Sequence, residues 1–195
     1  MLENEEKKKV YVTVRNNHFT VKTREGDGKQ RTTKTGKTVW ENEFSKLTGK
    51  INNVKKKVTE WEGKKIVSWD VQINDGNETM VLSLNYGSSE ARSFLSRLPN
   101  IDTAEDVTLN VFPFAGENKK EHTYISAWQF GNKVKPFYTK ENLPGMKKIV
   151  FKGEERWDDS EQQAVFEKMV LERYPLERKY EPEANEEDAQ SDLPF

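Results

Sequence analysis

Five short runs of alternating apolar residues lie between residues 47 and 130. Alternate side chains of a strand lie on one face of a sheet, so this period of two indicates strands with one buried face. The runs cover residues 47–61, 66–73, 79–86, 106–114 and 122–130. The first run is interrupted near Asn52 and Asn53, and a turn sequence, Asp75-Gly76-Asn77, separates the second run from the third. The pattern predicts a mainly β chain.

A stripe of apolar residues at helical spacing predicts a short helix over residues 88–98, behind a serine that can cap its N-terminus. Three strands, one helix and two strands is the order of the OB fold, a five-stranded barrel whose helix lies between strands 3 and 4. A second helix is predicted over about residues 160–174, where Ser160 and Gln163 fit a capping box ahead of another apolar stripe. We therefore expect an OB barrel followed by a C-terminal helix.

The sequence divides into four predicted parts. These are an N-terminal β extension with a basic loop (1–44), an OB-fold domain (45–155), a C-terminal helix (156–180) and a disordered acidic tail (181–195). Within the extension, residues 7–22 predict two short strands. Residues 22–38 predict a mobile loop or an extended hairpin, because they hold three glycines and almost no apolar residue.

Charge is distributed unevenly along the chain. The net charge is only -1, yet residues 7–57 contain 15 lysines or arginines against four acids, and residues 181–195 contain six acids and no base. A basic body joined to an acidic tail indicates an anionic partner for the body. The chain has no cysteine, which excludes disulfides and thiolate metal sites. No apolar run is long enough to span a bilayer.

Aromatic and basic residues beyond the needs of a core indicate that this partner is single-stranded DNA. If Ile125 and Ala127 point into the barrel, the alternate residues of their strand face outward. Bases stack on such rings whatever their identity, while lysine and arginine bind the phosphates. The predicted stacking residues are Trp61, Phe112, Phe114, Tyr124, Trp128 and Phe130. The predicted phosphate-binding residues are Lys22, Arg24, Lys29, Arg31, Lys34, Lys37, Lys50, Lys55, Lys56 and Lys57.

The chain ends on Asp192, Leu193, Pro194 and Phe195, an acidic and apolar tip. A terminal Phe can fill an apolar pocket while its carboxylate meets a basic residue, and nearby acids steer the approach. These four residues resemble the tip of the bacterial single-stranded DNA-binding protein family. The tail is also similar to that of phage single-stranded DNA-binding proteins that end on Phe.

The resemblance implies an OB fold and sequence-independent binding of single-stranded DNA in replication, recombination or repair. It also implies that the tip recruits partner proteins and that the tail competes with DNA for the basic groove. About 45 residues precede the predicted barrel and the long Gly/Gln/Pro-rich linker is missing, which favours a divergent, phage-encoded member. Such a protein is expected in the bacterial cytoplasm or in that of an infected host, without a membrane, metal or cofactor, and with the oligomeric state left open.

We expect a binding protein and not an enzyme. His18 and His122 fit strand surfaces, and the chain has no nucleotide-binding, hydrolase or metalloprotease motif. Carboxylates suited to a metal-dependent nuclease have simpler explanations, since Asp75 fits its turn and Asp158-Asp159 fit the cap of a helix. Two alternatives stay open: an RNA-binding OB protein, because stacking does not distinguish DNA from RNA, and a protein-binding adaptor without nucleic-acid function.

Overall fold

The computed structural model describes residues 9–33, 35–115, 121–151 and 153–175. Within them the chain is mainly β, as predicted, with two α-helices and one 3₁₀ helix. The first seven strands are β1 (Lys9–Arg15), β2 (His18–Lys22), β3 (Lys29–Thr32), β4 (Thr38–Phe44), β5 (Lys46–Trp61), β6 (Lys64–Asn74) and β7 (Thr79–Asn85). The later elements are α1 (Ser89–Leu95), the 3₁₀ helix (Leu98–Asn100), β8 (Val107–Ala115), β9 (Glu121–Gln129), β10 (Asn132–Lys133), β11 (Lys147–Phe151), β12 (Glu154–Asp158) and α2 (Ser160–Arg173).

Ten of these strands form one sheet, in the order β10-β9-β8-β5-β6-β7-β1-β2-β4-β3, and β11 pairs with β12 as a separate hairpin. Neighbouring strands are antiparallel except β1 and β7, which run parallel from Lys9 opposite Thr79 to Thr13 opposite Ser83. The basic segment 22–38 contains β3, which pairs with β4, so the extended hairpin is the correct one of its two predicted conformations. The N-terminal strands thus belong to the same sheet as β5 to β9.

The predicted closed barrel is not confirmed. The five strands predicted for it, β5 to β9, pair in the order β9-β8-β5-β6-β7. Closure requires a ladder between β7 and β9, and no such ladder is present among the described residues. The edge of β7 pairs with β1 instead, because Val10 and Val12 of β1 continue the apolar face of the sheet.

Strand β5 changes partners at Gly49. Its first four residues pair with β8, and the residues from Lys50 onward pair with β6. A Cβ atom at Gly49 would lie 2.6 Å from the carbonyl oxygen of Asn74, closer than side-chain carbons approach backbone oxygens. Glycine therefore allows the backbone of β6 to meet β5 at the point where β5 leaves β8.

A β-bulge follows in the same strand. Lys50 is opposite Asn74 and Asn53 is opposite Gln72, so over this stretch β5 has one residue, Asn52, more than β6. The interruption predicted at Asn52 and Asn53 is confirmed as this bulge. An extra residue inverts the alternation of side chains that follow it.

The core lies between one face of the sheet and the two α-helices. Apolar residues of β1, β2 and β5 to β9 are buried together with Phe94 of α1 and Phe166 of α2. Helix α1 begins as predicted, since the Ser88 side chain accepts the backbone N–H of Ala91. We call the sheet face that points away from the two helices the outer face.

Helix α2 begins one residue differently from the predicted capping box. Its N-cap is Asp159, and the carboxylate of Asp158 accepts the backbone N–H of Ser160, so Ser160 is the first helical residue. Farther along, Glu167 accepts hydrogen bonds from Lys56 of β5, at 2.7 Å, and from Tyr86. Burial together with the facing Glu167 carboxylate raises the pKa of the Tyr86 hydroxyl. These polar contacts join α2 to the sheet beside its apolar stripe.

Candidate nucleic-acid interface

Four aromatic residues, Phe112, Phe114, Tyr124 and Trp128, form a group on the outer face of β8 and β9 that we call the aromatic patch. Cross-strand partners share a face, and the register places Phe112 opposite Tyr124 and Trp128 opposite Thr108. The ring centroids of Phe112 and Tyr124 are 6.2 Å apart, and those of Phe114 and Tyr124 are 5.3 Å apart. The side chain of Trp128 is 42% exposed. The structure thus places four of the predicted stacking residues on one face, three of them with neighbouring rings.

Four lysines of β5 lie on the same outer face. Lys46 is opposite Asn110, a neighbour of the aromatic patch on β8, and Lys50 has the same orientation by alternation. Beyond the bulge, the register gives Lys55 and Lys57 this orientation too. All four side chains are exposed. The outer face therefore combines a row of cations with a group of aromatic rings.

Three of these lysines have no ion pair with another described residue: Lys46, Lys50 and Lys55. The fourth, Lys57, has its Nζ 3.5 Å from the buried carboxylate of Asp70. Cations that are exposed and unpaired in the free protein need not break an internal contact before they bind a phosphate. Most of the row is thus available to an anionic ligand.

Sequence reasoning missed two basic residues of this face, Lys46 and Lys133. Lys133 of β10 is opposite Trp128, and its Nζ lies 5.8 Å from the centroid of the Phe112 ring. That separation is typical of a cation–π contact. Alternation along β5 could have identified Lys46, whereas Lys133 depends on the β9–β10 turn, which no sequence pattern indicated.

Lys56 lies on the opposite face of β5 from Lys55 and Lys57. Its Nζ is 2.7 Å from Oε1 of Glu167 and 5.0 Å from the centroid of the Tyr86 ring, next to α2. The structure therefore separates Lys56 from the other predicted phosphate-binding residues. Its contacts assign it to the attachment of α2.

The predicted basic residues of the N-terminal segment are partly neutralised by acids of β4. Arg31 donates two hydrogen bonds of 2.8 Å to Glu41, and Lys29 donates one to Glu43. The hydrogen bond from Arg31 lowers the pKa of the buried Glu41 carboxyl, with the nearby positive charges acting in the same direction. Lys22, Arg24 and Lys37 are exposed and have no ion pair with another described residue. This segment offers fewer free cations than its composition suggested.

Two of the exposed cations approach the row on β5. Lys22 and Arg24 line a groove of about 780 Å³ that is also lined by Phe44, Lys46 and Thr48. The groove connects the end of β2 with the beginning of β5. The structure thus brings these two predicted residues to the groove beside Lys46, which apolar residues of the core face and the acids Asp75 and Glu78 also line. Lys37 belongs to the β3–β4 hairpin.

The remaining predicted aromatic residues lie at turns. Trp61 ends β5, on the outer face by alternation, and its ring is exposed beside the β5–β6 turn. Phe130 lies in the turn between β9 and β10 with a positive φ of 53°, so the strand alternation assumed for it ends at Gln129. Lys34 and the tip residues Asp192, Leu193, Pro194 and Phe195 lie outside the described residues.

The same described ranges contain neither a metal-binding cluster nor a helix able to cross a membrane. No group of three or more histidine, aspartate or glutamate side chains there is placed to hold a metal ion. No described helix combines the length and the apolar character required to cross a membrane. Comparison of the chain with protein-family models, with curated proteins and with solved structures finds no match.

Proposed function

We propose that the protein binds single-stranded DNA without sequence preference. The observation that carries the proposal is the single outer face on which the aromatic patch adjoins the exposed lysines of β5. Each base that stacks on an aromatic ring contributes about 1–3 kcal/mol whatever its identity, and lysines bind the phosphates that all nucleotides share. Neither interaction selects a base, so the affinity is tolerant of sequence.

The pairing order supports an OB-type arrangement for this face. Five strands in the order β9-β8-β5-β6-β7, with α1 between β7 and β8, correspond to the OB order without its closing ladder. We regard β5 to β9 as a derivative of that fold in which β1 pairs with the edge of β7. Because the OB fold has many functions, the proposal rests on the residues of the outer face.

Duplex DNA is expected to bind weakly to the same face. Its bases are stacked inside the double helix and cannot reach the aromatic rings, so only the lysine–phosphate attraction remains. Bound single strands would be held extended and protected, as replication, recombination or repair requires. A preference for single strands is therefore the property that separates this function from general attraction of a basic surface to polyanions.

The acidic C-terminal segment has two proposed roles. Residues 181–195 carry six acids, which can compete with phosphates for the outer face when DNA is absent. When DNA displaces the segment, its tip, Asp192 to Phe195, becomes available to replication or recombination proteins. The segment thus couples the state of the DNA-binding face to the recruitment of partners.

Tryptophan fluorescence tests the proposal directly, because two of the five tryptophans, Trp61 and Trp128, lie on the outer face. The protein is titrated with dT oligonucleotides of increasing length, with a DNA duplex and with an RNA oligonucleotide, each at two salt concentrations. We expect strong quenching by single-stranded DNA, a weak response to duplex and a steep loss of affinity with salt. Quenching should persist in a Trp157→Phe control, whose ring belongs to the β11–β12 hairpin.

Each other result has a definite meaning. Absence of binding to any single strand at low salt would refute the proposal and favour the protein-binding adaptor. Clearly tighter binding of RNA than of DNA would assign the face to RNA. Equal binding of duplex and single strands would show that the rings do not stack on bases.

A further inference from the structure

The positions of the β5 lysines in the sequence do not by themselves place these residues on one face. In a regular strand, residues separated by an even number share a face, so Lys46 and Lys50 would face one way and Lys55 and Lys57 the other. The bulge adds one residue, Asn52, between the two pairs. As a result, all four side chains lie on the face that carries the aromatic patch.

We infer that the bulge aligns Lys46, Lys50, Lys55 and Lys57 into one phosphate-binding row, which we call the lysine track, and that bound single-stranded DNA runs along β5. The inference rests on the proposed function and adds the path of the bound DNA, the length of DNA that is bound and the role of Asn52. Bulges commonly redirect side chains at binding sites. Asn52 is a positioning residue, since it acts through the lysines that follow it.

The lysine track has a length that DNA must match. From Lys46 to Lys57, β5 extends over roughly 35 Å at about 3.3 Å per residue. A stacked strand advances roughly 3.4 Å per nucleotide and an unstacked one up to about twice as far, so the track accommodates roughly 5–10 nucleotides, within the range of OB-type sites. The aromatic patch lies beside its Lys46 end and Trp61 lies beyond its Lys57 end, so bases meet rings at both ends.

Charge favours this path over one along the N-terminal hairpin. Along the track, only Lys57 has an ion pair with another described residue, its Nζ lying 3.5 Å from the Asp70 carboxylate. On the hairpin, Lys29 and Arg31 are already bound to carboxylates of β4. A phosphate that approaches the track therefore displaces fewer internal contacts than one that approaches the hairpin.

The decisive experiment moves one charge without changing the net charge. Lys57→Ala removes the last lysine of the track, and a second substitution restores a lysine either on the other face, at Val58, or on the same face, at Thr59. Both acceptor positions are exposed, with Val58 at 56%, so both double variants should fold. Dissociation constants for a dT oligonucleotide of about ten nucleotides are measured from low to moderate salt.

For single strands, the slope of log affinity against log salt changes by about 0.7 for each phosphate contact, so K57A should be about 0.7 shallower than wild type. K57A/T59K should recover the wild-type slope and affinity, whereas K57A/V58K should behave like K57A. Lys65→Ala, on the opposite face of the same hairpin, should leave the slope unchanged. A second readout is oligonucleotide length: in a K55A/K57A variant, the gain in affinity with length should end at shorter oligonucleotides.

The outcomes separate this inference from the proposed function. The lysine track alone is refuted if wild type binds single strands but the two double variants behave identically, or if K65A has the same slope as K57A. If wild type binds no single strand, the proposed function fails and the track fails with it. If K57A/T59K recovers the wild-type slope and K57A/V58K does not, the result supports both the lysine track and the proposed function.

Discussion

The most direct test of stacking is the substitution Trp128→Ala. This ring is 42% exposed in the aromatic patch, has Lys133 as its β10 neighbour and lies on the outer face. If one base stacks on it, its removal costs about 1–3 kcal/mol of binding free energy, which weakens the affinity for single-stranded DNA by about 5- to 150-fold. The slope of log affinity against log salt should stay at its wild-type value, because no charge is removed.

Fluorescence anisotropy of a labelled dT oligonucleotide gives both quantities, and circular dichroism shows whether the fold is retained. The matched control is Trp157→Ala, which removes an equally large ring that is 60% exposed on the β11–β12 hairpin. We expect wild-type affinity for this control. The reasoning is refuted if W128A binds as tightly as wild type, or if both variants lose affinity equally.

Three further predictions concern stability and regulation. Gly49→Ala should lower the free energy of unfolding by about 1–3 kcal/mol in urea denaturation, because the new Cβ overlaps the β6 backbone. Gly145→Ala, with open space around it and no positive φ, should cost less. Glu41→Gln should lower the free energy of unfolding at pH 7 by about 1–3 kcal/mol through loss of the ion pair with Arg31. Because the pKa of Glu41 in the folded protein is lowered from its usual value near 4.3, the difference in stability between variant and wild type should disappear as the pH falls through that lowered pKa. A difference that stays constant with pH would contradict this prediction. Deletion of residues 181–195 should tighten DNA binding at low salt and abolish partner recruitment, and an unchanged low-salt affinity would remove the competition part of the proposal.

Much of the central sheet could be predicted because its strands have one buried and one solvated face. Alternation in β6 and β7 and the helical stripe of α1 gave strands and helix in the observed order. The interruption near Asn52 was visible for the same reason, since a bulge breaks the alternation that defines the strand. Local patterns of this kind report which face each residue occupies.

The missed features depend on contacts that have no local pattern. The parallel pairing of β1 with β7 joins residues about 70 positions apart and leaves no mark in either segment. The β11–β12 hairpin exposes Val150 and Trp157 and is rich in charge, so neither strand has a buried face to produce alternation. The alternation that predicts a strand is therefore missing from this hairpin.

The site prediction did not distinguish the faces of neighbouring residues. Three consecutive lysines in a strand cannot share a face, and alternation alone separates Lys56 from Lys55 and Lys57. Which of the two sets faces outward depended on the bulge and on α2, whose Glu167 binds Lys56. The strand face predicted for Phe130 was wrong, because the strand ends at Gln129 and Phe130 lies in the turn that follows.

The parallel pairing of β1 with β7 has a consequence for synthesis on the ribosome. Strand β1 is made some 70 residues before its partner Leu82 in β7. Until then β1 has only β2 beside it and is the edge strand of the four-stranded order β1-β2-β4-β3. Nascent chains should therefore expose Val12 and the unpaired edge of β1 to chaperones until β7 arrives.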